Sequence, residues 1–271
     1  MPTDLRDCPE DSKILERASD LEIPPPAHGM RIAYSAKEFQ FGELYLPEGR
    51  GPHRVAIVIH GGYWRAQYDL RQIGHFCGAL TKAGIAAWCL EYRRIGNEGG
   101  GFPGTFEDVR RGASHLEEIA QEHSLDTKRV VATGHSAGGH LSLWLAKQAA
   151  VMLRGVVPLA PVADLRRAWE LKLSNNVTED LLGGPPEKVP ERYRAASPMD
   201  LVPLGVRQRV FHGNRDDVVP PALSRAYVAA ARKSGDDCTL TELEGVGHFE
   251  LIDPRTAVWG QVRGAIEKLL D

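Results

Sequence analysis

The sequence predicts an α/β domain built on a mostly parallel central sheet with helices on both faces. The first sign is a continuous β-branched run, Arg54–Ile59 (RVAIVI), too short for a helix and apolar on both faces. That is the pattern of a strand covered on both sides. Similar runs recur at Ile85–Leu90, Val130–Thr133, Gly155–Leu159 and Arg209–His212, with a mixed one at Thr239–Leu243. The second sign is helical spacing between the runs, at Leu70–Ala83, Phe106–Ala120, Leu141–Ala150, Leu223–Lys233 and Val258–Leu270. Strands alternating with helices imply right-handed crossovers, which make neighbouring strands parallel. Ligands of such sheets bind where the loops leave the carboxyl ends of the strands.

Ahead of the alternation, residues 1–29 are polar and run into Pro24-Pro25-Pro26, which can neither continue a helix nor donate to a ladder. An arm on the surface is expected there, folded over the domain or touching a second subunit, so a homodimer is one possible assembly. Met30–Tyr34 and Phe39–Leu46 alternate and are closed by Pro47-Glu48-Gly49, as in a hairpin or a pair of edge strands. The domain then runs from 30 to 271. One stretch, Asp164–Asp200, breaks the alternation with scattered apolar residues and Gly183-Gly184-Pro185-Pro186. It is long for a plain crossover helix, and a cap inserted over the sheet edge is the preferred reading.

Composition narrows the class of function. The 271 residues carry 33 Lys+Arg against 36 Asp+Glu, a formal charge of −3, with no basic run to meet a nucleic acid. A hydrophobic share of 42% with 25% charged residues suits a globular chain. No apolar stretch reaches the roughly 18 residues of a membrane span, and the charged N-terminus lacks the apolar run of a secretion signal. The four cysteines are scattered without a C-x-x-C pair, consistent with reduced thiols. A cytoplasmic protein with a small-molecule substrate, and neither nucleic-acid nor membrane partners, is expected.

Four motifs follow four different runs. Gly134-His135-Ser136-Ala137-Gly138 lies between a strand and a helix. Flanking glycines let the backbone fold sharply and lift a serine hydroxyl out of the sheet. The alternative is a glycine-rich turn with an incidental serine. His60-Gly61-Gly62-Tyr63-Trp64 ends the run Arg54–Ile59. Consecutive glycines let backbone amides approach a bound oxygen, so the N–H groups of Gly62, Tyr63 and Ala137 are assigned to an oxyanion hole, the alternative being a Gly-Gly turn whose Tyr63 and Trp64 merely pack. His212-Gly213-Asn214-Arg215-Asp216-Asp217 offers two adjacent carboxylates, either of which could instead cap the next helix. Gly245-Val246-Gly247-His248-Phe249 places a histidine in a glycine-rich loop before the last helix.

The order serine, acid, histidine is that of the α/β-hydrolases. From about Arg54 to the C-terminus the chain resembles that fold family. The motifs around Gly62 and Ser136 are similar to the arylformamidase (kynurenine formamidase) branch, which adjoins the hormone-sensitive-lipase-like esterases. Those esterases usually read His-Gly-Gly-Gly where this chain has Tyr63, a departure favouring the formamidase side. The resemblance selects Asp216 as the acid and implies a structural role for Asp108, after Phe102-Pro103. It implies no cofactor and no metal. A catalytic set of Ser136, Asp216 and His248 would form an acyl-enzyme from an aryl formamide such as N-formylkynurenine or from a small carboxylic ester. Broad short-chain carboxylesterase activity is the alternative, and a catalytically inactive hydrolase fold serving as a receptor is the rival of another class. Tyr63, Trp64 and Trp169 are expected to line an aromatic pocket, although Trp169 equally suits ordinary packing.

Other signals carry less. Gly99-Gly100-Gly101-Phe102-Pro103-Gly104 fits a dinucleotide-binding pattern but does not open a helix directly from a strand, and a glycine-rich loop near the site is expected. His135 and His140 are five apart, off the usual two-ligand face of a helix. Cys77 and Cys89 lie in apolar segments and are assigned to the core.

Overall fold

A computed structural model describes residues 29–271. The arm expected over residues 1–29 therefore lies, except for Gly29, outside the described residues. Eight strands form one sheet in the order β1-β2-β4-β3-β5-β6-β7-β8. They are β1 (Met30–Ala33), β2 (Phe41–Tyr45), β3 (His53–Ile59), β4 (Ile85–Leu90), β5 (Leu125–His135), β6 (Gly155–Leu159), β7 (Arg207–Gly213) and β8 (Cys238–Leu243). The hairpin β1–β2 is antiparallel and adds to β4 antiparallel, whereas every pairing from β4 through β8 is parallel. The expected hairpin and the expected parallel sheet both form.

Strand β3 explains why its sequence has no polar face. Val55, Ile57 and Ile59 enter one buried cluster, while Ala56 and Val58 enter the other. Side chains alternate across a strand, so a strand with helices on both sides must be apolar at every position. Cys77 and Cys89 are fully buried in the second cluster.

The chain leaves β3 for β4 on one side and returns to β5 on the other, so the order reverses between β3 and β5. The carboxyl ends of two strands flanking such a switch point open a crevice. The loop at Gly61 and the turn at Ser136 stand on its two sides.

The principal helices are α1 (Gly74–Lys82), α2 (Gly104–Ser114), α3 (Leu116–Ile119) and α4 (Ala137–Lys147). Four short ones follow β6: α5 (Leu165–Glu170), α6 (Val177–Leu182), α7 (Pro190–Ala196) and α8 (Pro198–Leu201). The last two are α9 (Pro221–Lys233) and α10 (Val258–Leu270). The segment 164–200 is thus not a single crossover helix. Leu165, Leu181, Leu182 and Tyr193 carry it into the same buried cluster as Trp64 and Trp144.

Candidate active site

Ser136 stands between β5 and α4 with φ 57° and ψ −117°. A residue with a side chain rarely adopts this conformation, and the surroundings must hold it there. The Ser136 amide donates to Leu159 O at 2.8 Å, and its carbonyl accepts His140 N at 3.0 Å. Gly138 makes the tight approach possible, because a Cβ there would sit 2.0 Å from Ile59 O. With the carbonyl and amide both engaged, the side chain projects from the turn at the N-terminus of α4, where partial positive charge gathers.

The loop after β3 presses against this turn. A Cβ on Gly61 would lie 2.8 Å from His135 O and 3.3 Å from Ser136 Cβ. Gly62, Tyr63 and Trp64 follow with φ of 98°, 48° and 56°, and Arg65 N closes the turn onto Gly62 O at 2.9 Å. Behind the loop, His60 stacks on Tyr92 with ring centroids 4.3 Å apart, and the Tyr92 hydroxyl donates to His60 O at 2.9 Å. The His60 ring places Nδ1 2.8 Å from Gly61 O and Nε2 3.0 Å from Glu91 Oε1. Both ring nitrogens therefore face acceptors. Arg94 Nη2 lies 3.4 Å from the same carboxylate oxygen.

The acid and the histidine meet across two loops. His248 Nδ1 is 2.6 Å from Asp216 Oδ2, with both side chains buried. The other carboxylate oxygen, Oδ1, accepts Val218 N at 2.9 Å and Val219 N at 2.8 Å. Asp217 is exposed, so of the two adjacent aspartates it is Asp216 that reaches the imidazole. Burial alone would raise the Asp216 carboxyl, but His248 and His212 beside it outweigh burial and hold it far below the usual carboxylate range. The two loops are tied by Asn214 N to Leu243 O and Arg215 N to Val246 O, both at 2.9 Å.

His248 is also fixed against the chain neighbour of Ser136. The His135 and His248 rings lie with centroids 4.3 Å apart, and His135 Nε2–H donates to His248 O at 3.0 Å. Burial, then the adjacent His248, hold His135 well below the usual imidazole value, so it is neutral.

The three expected pocket aromatics fare differently. Trp64 is 0% exposed, its ring edge-on to His140 at 5.1 Å, so it belongs to the core and does not line a pocket. The left-handed turn at Trp64 directs the indole inward, a feature that residue type alone does not reveal. Tyr63 is buried too, and its hydroxyl donates to Val218 O at 2.9 Å, linking the loop after β3 to the loop that carries Asp216. Trp169 is half-buried and donates to Glu179 Oε1 at 2.5 Å, joining α5 to α6. The glycine-rich loop at 99–104 is pinned to α6 by Phe102 N to Leu181 O at 2.7 Å. Asp108 is buried among Gln40 and Arg93 donors at 2.7 Å. Sequence reasoning missed His135, His212 and Glu91. His212 stood in plain view, four residues before Asp216 at the end of an apolar run.

Among the described residues, no group of three or more His, Cys, Asp and Glu side chains is placed to hold a metal ion, and no helix is long and apolar enough to cross a membrane.

This sheet, with its crevice between β3 and β5, is the fold of the α/β-hydrolases. The chain belongs to the BD-FAE family, whose sequence model matches residues 43–230. It is 24% identical over 258 residues to a probable isoprenylcysteine alpha-carbonyl methylesterase, ICMEL1, of Oryza sativa subsp. japonica, covering 84% of this chain and 57% of that protein. It is 25% identical over 253 residues to Esterase LipQ of Mycobacterium tuberculosis, covering 83% of this chain and 60% of that one. The chain thus spans less than two thirds of the length of these curated relatives. Among solved structures, a truncated carbohydrate esterase from gut microbiota superposes with a TM-score of 0.79 at 21% identity, covering 92% of this chain and 98% of that one.

Proposed function

We propose that the chain is a serine carboxylesterase acting on small carboxylic esters through an acyl-enzyme. The observation that carries this is the 2.6 Å contact between Asp216 and a buried His248 whose ring packs, tilted, 4.3 Å from that of His135, the residue preceding Ser136. In this reading Ser136 Oγ attacks the ester carbonyl and passes its proton to His248 Nε2. The oxyanion is received by the amides of Gly62, Tyr63 and Ala137. His248 then protonates the departing alcohol, and water, deprotonated by the same imidazole, releases the acid. Asp216 holds His248 in the tautomer with the proton on Nδ1 and stabilises its imidazolium. Helices α5–α8 act as the cap.

Two findings favour esters over aryl formamides. The relatives and the structural neighbour are named as esterases. The burial of Trp64 also removes one of the aromatic walls on which an aryl pocket rested.

The test compares p-nitrophenyl acetate and butyrate with N-formylkynurenine, for the native protein and Ser136→Ala. Ester turnover abolished by the substitution, with labelling of Ser136 by a fluorophosphonate, supports the proposal. A formamide rate exceeding the ester rates reassigns the substrate. Absence of both turnover and labelling overturns the enzymatic reading in favour of a receptor.

A further inference from the structure

Asp216 faces a second imidazole that the mechanism does not use. His212, on β7 and fully buried, places Nε2 3.2 Å from Asp216 Oδ2 and 2.8 Å from Val219 O. Its Nδ1 is 2.7 Å from Oγ of Ser224, also fully buried, in the first turn of α9. Since Nε2 faces only acceptors, it carries a proton, and Nδ1 is left to accept the Ser224 hydroxyl hydrogen. Ser224 thus holds His212 with its Nε2–H bonded to Val219 O and set 3.2 Å from the Asp216 carboxylate that His248 also contacts.

We infer that His212, with its tautomer fixed by Ser224, is a positioning residue that sets the orientation and basicity of the Asp216 carboxylate toward His248. This rests on the serine-esterase reading above. The geometry argues against simple filling of space. Oδ1 is already claimed by two backbone amides, so the plane of the carboxylate is set. Oδ2 is left between two imidazoles, at 2.6 and 3.2 Å. His212 Nε2 gives its hydrogen bond to Val219 O and lies beside Oδ2 at 3.2 Å, so its N–H dipole draws on the negative charge that would otherwise stabilise the His248 imidazolium. A buried histidine and serine whose polar atoms meet each other and the site's carboxylate are costly in any other arrangement.

Other titratable groups face this cluster. His135 packs on His248 from β5, and the Tyr63 phenol binds the acid loop through Val218 O. Glu242 of β8 faces His212 and is paired with the exposed Arg225. None of these donates to Asp216 Oδ2.

The experiment measures kcat, KM and the pH profile of kcat/KM with p-nitrophenyl acetate for His212→Phe, Ser224→Ala and Ser224→Thr, with circular dichroism to establish folding. His212→Phe is expected to lower kcat roughly tenfold with KM little changed. With the competing donor gone, the acid limb should move up by about half a pH unit. Ser224→Ala should move the limb the same way by less, and Ser224→Thr, which keeps the hydroxyl, should restore it. A role in stability alone would lower the melting temperature and leave the limb in place. Folded variants with an unmoved limb and kcat within twofold overturn the inference. Should His212→Phe fail to fold, the Ser224 pair decides by the same limb. Loss of activity in Ser136→Ala beside an unmoved limb overturns this inference alone. Retained activity in Ser136→Ala overturns the esterase reading, and this inference with it.

Discussion

Replacing Asp216 by asparagine tests the most specific feature of the site. The carboxylate receives two amides on Oδ1 and faces two imidazole nitrogens with Oδ2. An asparagine of the same shape keeps one acceptor oxygen, and the amides of Val218 and Val219 claim it. Its NH2 group then points at His248 and at the protonated Nε2 of His212. His248 can meet a donor only with a bare Nδ1, so its proton moves to Nε2, the atom that must accept from Ser136. The loss has two parts. An ion pair with charge centres about 4 Å apart is worth roughly 4 kcal/mol at an effective dielectric near 20, or about a thousandfold in rate. The wrong tautomer brings the expected fall in kcat to about ten-thousandfold. Steady-state hydrolysis of p-nitrophenyl acetate from pH 5 to 9 reads the effect, with Asp217→Asn, at an exposed carboxylate, expected within about threefold of native. An Asp216→Asn enzyme keeping a tenth of its activity, or a large loss at Asp217 instead, would refute the reasoning.

Burial holds His140 down to about 4 in the folded chain, against 6.5 for the free group, and holds His135 well below as well. Their contribution to stability is fully present above about pH 6.5 and lost as pH falls through the folded values, because only the unfolded chain takes up the protons. His140 alone accounts for roughly 3 kcal/mol between pH 6.5 and 4, so urea denaturation should show a steep decline that His140→Gln flattens. Ser136→Gly should melt above Ser136→Ala, by about 1 kcal/mol of stability, since glycine relieves the backbone at φ 57° while both are inactive. Gly138→Ala forces a Cβ to 2.0 Å from Ile59 O and should cost roughly 3 kcal/mol or abolish folding. Gly264→Ala, in α10 with nothing within 4 Å, should instead raise the melting temperature.

The sheet was legible because its central strands must be apolar on both faces, and only the fold's own periodicity was needed to find β3, β4 and β6. Strand β5 starts earlier than its apolar core suggests. After the buried Leu125, Asp126–Arg129 is polar, and the strand joins β3 across a register irregularity at His53/Val55 that no hydrophobic pattern marks. Helix α4 likewise begins at Ala137, ahead of the apolar spacing from Leu141, because Gly138 and Gly139 in its first turn are poor helix formers. Ser136, Asp216 and His248 stood out as candidates because glycine-flanked turns after strands leave few other places for chemistry, and of these the structure brings Asp216 and His248 to 2.6 Å. Trp64 was misread because burial depends on three successive left-handed residues, a feature of conformation with no counterpart in residue type. His212 was overlooked because a buried histidine in a strand looks like core until its partner four residues on is seen in space.

The site's stiffness comes from contacts that lie outside the reacting atoms. The loop 61–64 is gripped from behind by Tyr92 and Glu91 through His60, and from the side of Asp216 by the Tyr63 hydroxyl on Val218 O. It reaches the inserted helices through Arg65 Nη2 to Ser174 O at 2.9 Å. The acid loop is held by its own amides and by His212, and the histidine loop by His135. Each loop is therefore fixed by a neighbour that is itself fixed by the sheet, so under the proposed mechanism donors and base would be placed before a substrate arrives. Preorganisation of this kind is what makes hydrogen-bond donors effective at a developing oxyanion, because nothing has to reorient as the charge forms. It also explains why so much buried polarity is tolerated at one edge of an otherwise apolar sheet. His60, Glu91, His135, His212, Asp216, Ser224 and His248 are individually expensive to bury, yet each meets a partner on a different element, and the ordering they impose falls on the one edge where the fold leaves a crevice.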